Sequence, residues 1–223
     1  MMSTITISDL AQSQIVSMTG GQFNWNSTVW RSHKSVHPAG QATDTVTIPA
    51  RCDSMRSILV AQRLSANVNL ATRQSNYERI RNLLTGYQFR VGSSFANPKP
   101  VDCTGSAVEA YMEARRVFGS VTSESCPTLL TVADYAGDAP LAPVANTTRG
   151  LYAPDHPAFL IGLEMQPFSQ VAGLISGTST LASSVYLDLA YAANSLAADI
   201  NAFIEADALF TVDSNIGTMT VRF

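Results

Sequence analysis

The chain has 223 residues, of which 46% are apolar, enough for one sizeable core and too many for a chain that stays disordered. Only 14% are Asp, Glu, Lys or Arg, against about 25% in an ordinary soluble chain, so much of the surface is expected to be covered by partners. A net charge of −3, without a block of Lys and Arg at either end, argues against a protein that condenses nucleic acid.

The cations point to interfaces as well. There are 12 Arg and only two Lys, Lys34 and Lys99. A planar guanidinium is weakly hydrated and forks two hydrogen bonds, so buried contacts favour Arg over Lys. Cys52, Cys103 and Cys126 are odd in number and show no CxxC spacing, which argues against a disulfide framework and for reducing conditions during folding. The opening MMSTITISDL lacks the basic and apolar regions of a secretory signal. The sequons at Asn26 and Asn146 are therefore read as chance. No run reaches about 18 uninterrupted apolar residues, and no membrane span is expected.

In chain order, residues 1–44 are polar and rich in Ser, Thr and Gln, with short strands expected at 15–18 and 22–30 and a loop at 33–40. They form an N-terminal arm or extra strands ahead of a main domain at 45–223. Strand signals dominate from there. Thr45-Val46-Thr47-Ile48 alternates and stops at Pro49. Residues 57–64 form a second apolar run, and 64–77 read as a loop. Tyr87-Gln88-Phe89-Arg90-Val91 alternates strictly and closes at Gly92. Then the period changes. Ser106 with Glu109 forms a capping box, Val108, Tyr111, Met112, Arg115 and Arg116 follow at helical spacing, and Gly119 is a C-cap. Residues 120–157 are an irregular excursion with one short helix near 129–135. Strands return at 159–165, 183–191 and 202–212, with a short last one at 219–223 and turns at 176–180 and 215–217. Roughly eight strands, one inserted helix and long loops make an all-β jelly-roll sandwich. The regular alternation of helix and strand that an α/β fold needs is missing.

Catalytic chemistry is hard to find. His33, His37 and His156 read as solvated loop residues, because His37 precedes Pro38 and cannot continue a helix. There is no HExxH, GxSxG, P-loop or GxGxxG. Glu164, Asp188 and Glu205 sit singly on strands, without the Trp- and Tyr-lined cleft of a glycosidase. No catalytic, cofactor or metal residues are expected. Trp25, Trp30 and Phe223 are candidate interface residues, together with Arg115 and Arg116.

The order of segments is more informative than any one of them. Residues 57–63 lead to Tyr87-Gln88-Phe89-Arg90-Val91-Gly92-Ser93, then Pro98-Lys99-Pro100-Val101, then a helix carrying Glu109-Ala110-Tyr111-Met112-Glu113. After these come 159–168, Ser176-Gly177-Thr178-Ser179-Thr180, 185–189 and 203–210. Over roughly residues 45–223 this succession resembles the C-terminal barrel of double jelly-roll major capsid proteins of eukaryotic DNA viruses and polinton-like elements. The resemblance implies a structural protein of the virion. It would be assembled inside the host cell, in cytoplasm or nucleus, and would join copies of itself in trimeric capsomers with other capsid proteins in an icosahedral shell. It also implies no enzymatic activity and no cofactor. The departure is length, because such proteins carry two barrels in one chain and 223 residues hold one. The competing expectation is a jelly-roll binding module for a receptor or carbohydrate, which calls for an exposed aromatic platform in the loops.

Overall fold

The alternating segments fold as their pattern requires. In β8 (Val185–Tyr191) every second residue, from Val185 to Tyr191, is buried, and Tyr186, Asp188 and Ala190 face outward. β4 (Leu84–Val91) buries Tyr87 and Phe89, and β2 (Thr43–Ile48) buries Val46 and Ile48. These three pair antiparallel in the order β2-β8-β4. The two-residue strands β5 (Ser94–Phe95) and β6 (Val101–Asp102) share the far edge of β4.

The second sheet is built on one long strand, β9 (Ala198–Asp213). β1 (Gln22–His37) runs beside it antiparallel over its whole length, from Gln22 opposite Asp213 to His37 opposite Ala198. On the other side of β9, β3 (Met55–Leu64) takes residues 198–206 and β10 (Thr218–Arg222) takes 209–213. β7 (Ile161–Glu164) completes the order β1-β9-β3-β7. This computed structural model describes residues 8–68, 79–105, 107–118, 135, 158–165, 177–213 and 217–223.

The two five-stranded antiparallel sheets face each other as a jelly-roll sandwich. Ile58, Val60, Ile200 and Ile204 from one meet Tyr87, Phe89, Leu187 and Ile48 from the other, all essentially inaccessible to water. Tyr87 and Phe89 meet edge to face, 5.8 Å between ring centres, a favoured aromatic geometry.

Helix α2 (Val108–Val117) lies across β7 and buries Ala110, Tyr111 and Ala114. Gly162 makes this possible. A Cβ there would stand 2.9 Å from Ala114 Cα and 3.2 Å from the Glu113 carbonyl oxygen. Tyr135 sits beside this contact, its ring 5.3 Å from Tyr111 and 4.9 Å from Phe159.

Several expectations need correction. Residues 15–18 are the end of a helix, α1 (Asp9–Met18), in the N-terminal arm and not a short strand; α2 is the inserted helix that was expected. Ser8 caps α1, with the Ala11 amide donating to Ser8 Oγ at 3.4 Å. The loop expected at 33–40 is strand as far as His37. His37 is fully buried, not solvated. The described residues form ten strands, two of them only two residues long and β1 belonging to the N-terminal arm, which agrees with the roughly eight expected for the jelly roll. Helix α2 begins one residue later than a Ser106 cap requires. Its N-cap is Ala107, in the left-handed region at φ +50°, with no side-chain cap. Glu109 instead accepts from the Asp102 amide and pairs with Lys99 at 2.9 Å. Ser106, Gly119, Cys126, Asn146, His156, the excursion at 120–157 apart from Tyr135, most of the 64–77 loop, and residues 166–168, 176 and 215–216 lie outside the described residues. Cys52 and Cys103 are free and buried. Burial pushes the Cys103 thiol up to about 12.

On the outer face of the β2-β8-β4 sheet, Asp188 accepts from Arg90 Nη2 at 2.9 Å and from Thr45 Oγ1 at 2.8 Å. The Arg90 hydrogen bond holds the Asp188 carboxyl below the ordinary aspartate range. Its stabilising contribution is therefore full above the unfolded value of about 4 and is lost as pH falls through the lower folded value. We expect the urea-midpoint gap between wild type and Asp188→Asn to close between about pH 5 and pH 2. The pair is partly solvated, so the gap is bounded at about 1 kcal/mol. A gap unchanged by acid rules this linkage out.

Candidate interaction surface

β9 is longer than the sandwich is deep. Its inward residues are buried as far as Ala208. Beyond that point residues 209–213 are all partly exposed, and their partners, the start of β1 and all of β10, are more exposed still. The result is a three-stranded antiparallel ribbon projecting from the body.

Register assigns its faces. Phe23 and Trp25 of β1 lie opposite Val212 and Phe210 of β9, which lie opposite Met219 and Val221 of β10. Side chains alternate along a strand, so these six apolar residues share one face, the continuation of the core face. The other face carries Asn24, Asn26, Thr211, Asp213, Thr218, Thr220 and Arg222, with Leu209 as its apolar exception. Trp25 stacks on Phe210 at 5.4 Å with the planes 4° apart. Trp25 nonetheless remains 45% exposed and Met219 60%.

The candidate residues fall into separate places. Trp25 belongs to the apolar ribbon face. Trp30, 53% exposed, points from the opposite face of the same sheet, directly across from Glu205. Phe223 sits at the ribbon's base, its ring 4.2 Å beneath the Arg31 guanidinium and its carbonyl oxygen accepting from the Asp53 amide at 2.9 Å. Arg115 and Arg116 are on α2, at the other edge of the sheet. Arg115 lies over the Tyr111 ring at 5.7 Å. Arg116 donates to Glu113 at 3.1 Å and approaches Glu164 of β7 at 3.7 Å, which ties α2 to the sheet. Burial raises the Glu164 carboxyl, and Arg116 opposes that shift.

A polar cluster escaped the sequence reading. His37 Nδ1 lies 3.2 Å from Asp44 Oδ2, and Nε2 lies 3.1 Å from Ser195 Oγ. The ring stacks on Tyr191 at 4.0 Å between centres. Ser195 Oγ in turn donates to the Gln41 carbonyl oxygen at 3.1 Å. The connectivity is that of a Ser-His-Asp relay, but Ser195 and His37 are both buried and the hydroxyl is held by Gln41. No substrate reaches it there. The cluster pins the β1–β2 turn to the turn between β8 and β9. His37, Asp44 and Ser195 are too scattered in sequence to be read together. The ribbon face did leave a signal, the Phe23-x-Trp25, Phe210-x-Val212 and Met219-x-Val221 alternations, but only register assembles them. Among the described residues, no cluster of three or more His, Cys, Asp or Glu is placed to hold a metal ion. No described helix is long and apolar enough to cross a membrane.

No family model and no curated protein matches the chain by sequence. Solved structures do match it in shape. The structure of PBCV-1 VP54 fitted into a cryo-EM reconstruction of the virophage Sputnik superposes over 97% of this chain with a TM-score of 0.54 and 8% identity. The PBCV-1 virus capsid covers 95% of the chain at TM-score 0.48 and 8% identity, and 54% of its own chain is matched. The mavirus major capsid protein covers 91% at TM-score 0.44 and 10% identity, and 42% of its own chain is matched. The chain spans about half the length of VP54, 55% of which is matched. At 8% identity the likeness to VP54 is one of fold alone, a jelly roll.

Proposed function

We propose that this chain is a structural protein of a viral shell that acts by packing against copies of itself and other capsid proteins, and is not an enzyme. The observation that carries this reading is the jelly-roll likeness to VP54 running over nearly the whole chain. The low share of charged residues supports it. So does the exposure of Trp25, Trp30 and Met219 on a sheet that ends without a cover.

In this reading residues 45–223 are the jelly roll, and residues 1–44 supply an arm, α1, and an extra strand, β1. Trp25 and Trp30 face opposite ways and would meet different neighbours. Phe223 would line the first of these contacts, and Arg115 and Arg116 would lie at a third, beyond β7. Each contact is small. At about 25 cal/mol per Å² of apolar surface it is weak alone, and symmetry multiplies it. The protein would form trimeric capsomers, reside in the virion after assembly in the host cytoplasm or nucleus, and make no direct contact with nucleic acid.

Electron microscopy of the purified full chain, with sedimentation across concentration, tests the reading. Regular trimers, rings or closed particles are the expected result. A protein that stays monomeric at high concentration refutes it.

A further inference from the structure

The ribbon's apolar face and helix α1 pose the same problem from two sides. The ribbon has one apolar face, on which Trp25 and Met219 stay exposed and the other four residues are only partly covered. Such a face is stable in water only against another element. Helix α1 is ten residues long. Isolated helices below about 12–15 residues are marginal in water. Its Leu10, Ala11, Ile15 and Met18 fall on one side of the helix, yet Leu10 is 73% exposed and Met18 87%.

The two surfaces match in kind, number and size. Each protomer carries one open helix stripe and one open sheet face. A ten-residue helix is about 15 Å long. A five-residue strand is about 17 Å long, and three strands abreast span about 14 Å. Helix α1 joins β1 through Thr19, Gly20 and Gly21 at the ribbon's tip, where Gln22 pairs with Asp213. The turn depends on positive φ at both glycines, +63° and +85°, a conformation open to Gly at little cost. Among the described residues, α1 packs substantially against no other element.

We propose that α1 of one copy docks on the apolar face of the β1–β9–β10 ribbon of a second copy, as an exchanged arm. Each protomer then gives one helix and receives one, so both surfaces are satisfied once a ring or a dimer closes. The inference rests on the self-assembling reading above and adds which surfaces meet.

Mixed cross-linking of full-length chains tests it. Met18→Cys and Met219→Cys chains, distinguished by mass, are combined and oxidised. The expected main product links one chain of each kind, at least about tenfold above Met18→Cys pairs alone, because geometry sets the local concentration. Leu10→Ser/Met18→Ser and Trp25→Ser/Met219→Ser should each weaken self-association about tenfold or more. Combined, they should weaken it no further than either alone, since both remove one contact.

Oligomers that form without the mixed cross-link overturn the exchanged arm and leave the shell reading standing. A disulfide formed only within a Met18→Cys/Met219→Cys chain also overturns it, because the helix then covers its own ribbon. Losses that add across the two variant pairs overturn it, and so does flotation with phosphatidylcholine–phosphatidylserine vesicles that Met219→Ser abolishes. A monomer at every concentration overturns this inference and the shell reading together.

Discussion

Replacing His37 with Ala is expected to cost about 3–5 kcal/mol of folding stability. Three losses combine. Asp44 loses the imidazole that lies 3.2 Å from its carboxylate, Ser195 loses a partner at 3.1 Å, and Tyr191 loses the ring stacked on it. The vacated space is fully enclosed, so water does not easily replace what is removed. For a chain of this size the melting temperature should fall by on the order of 10 °C. Urea unfolding of purified wild type and His37→Ala measures it. A difference below about 1 kcal/mol would mean that the cluster does not pin the two turns.

Gly162→Val is expected to cost about 3 kcal/mol by a different route. The new Cβ would meet backbone, Ala114 Cα at 2.9 Å and the Glu113 carbonyl oxygen at 3.2 Å, and backbone cannot swing aside as a side-chain tip can. Helix α2 has to lift from β7, stretching the Arg116–Glu164 approach. Calorimetry gives the total. Hydrogen exchange gives the location, with faster exchange expected at the amides of residues 108–117 and little change at 185–191. Wild-type stability together with wild-type protection of α2 would show that the helix does not rest on Gly162.

What the sequence discloses follows from where water lies. β4 and β8 each have one wet and one dry face, so their alternation is written into the residues themselves. The second half of β1, Ser32-His33-Lys34-Ser35, carries no such signal. Its extended form is imposed by sixteen residues of pairing with β9, a tertiary effect stronger than local propensity. Helix α1 was missed for another reason. A short stretch at 15–18 with three apolar residues suits a helix end as well as a strand, and the Ser8 cap that decides the matter lies seven residues upstream. The aromatic residues suspected of contact were identifiable singly. That Trp25 shares a face with Met219 while Trp30 does not depends on strand register, which no local pattern encodes. The His37 cluster joins three segments, and its neighbouring polar residues look like loop until they are buried.

The placement of β9 bears on synthesis as well. Three strands lean on it, and the pairing of Gln22 with Asp213 spans 191 positions. Until β9 has been synthesised, β1 has no paired strand among the described residues and the β9-facing edge of β3 stays unpaired, so both stand open to other nascent chains. Folding dominated by such distant pairings is slow, and unpaired edges aggregate in the meantime. Translation pauses and chaperone supply upstream of residue 198 should therefore govern the yield of native protein more than the stability of the finished sandwich does.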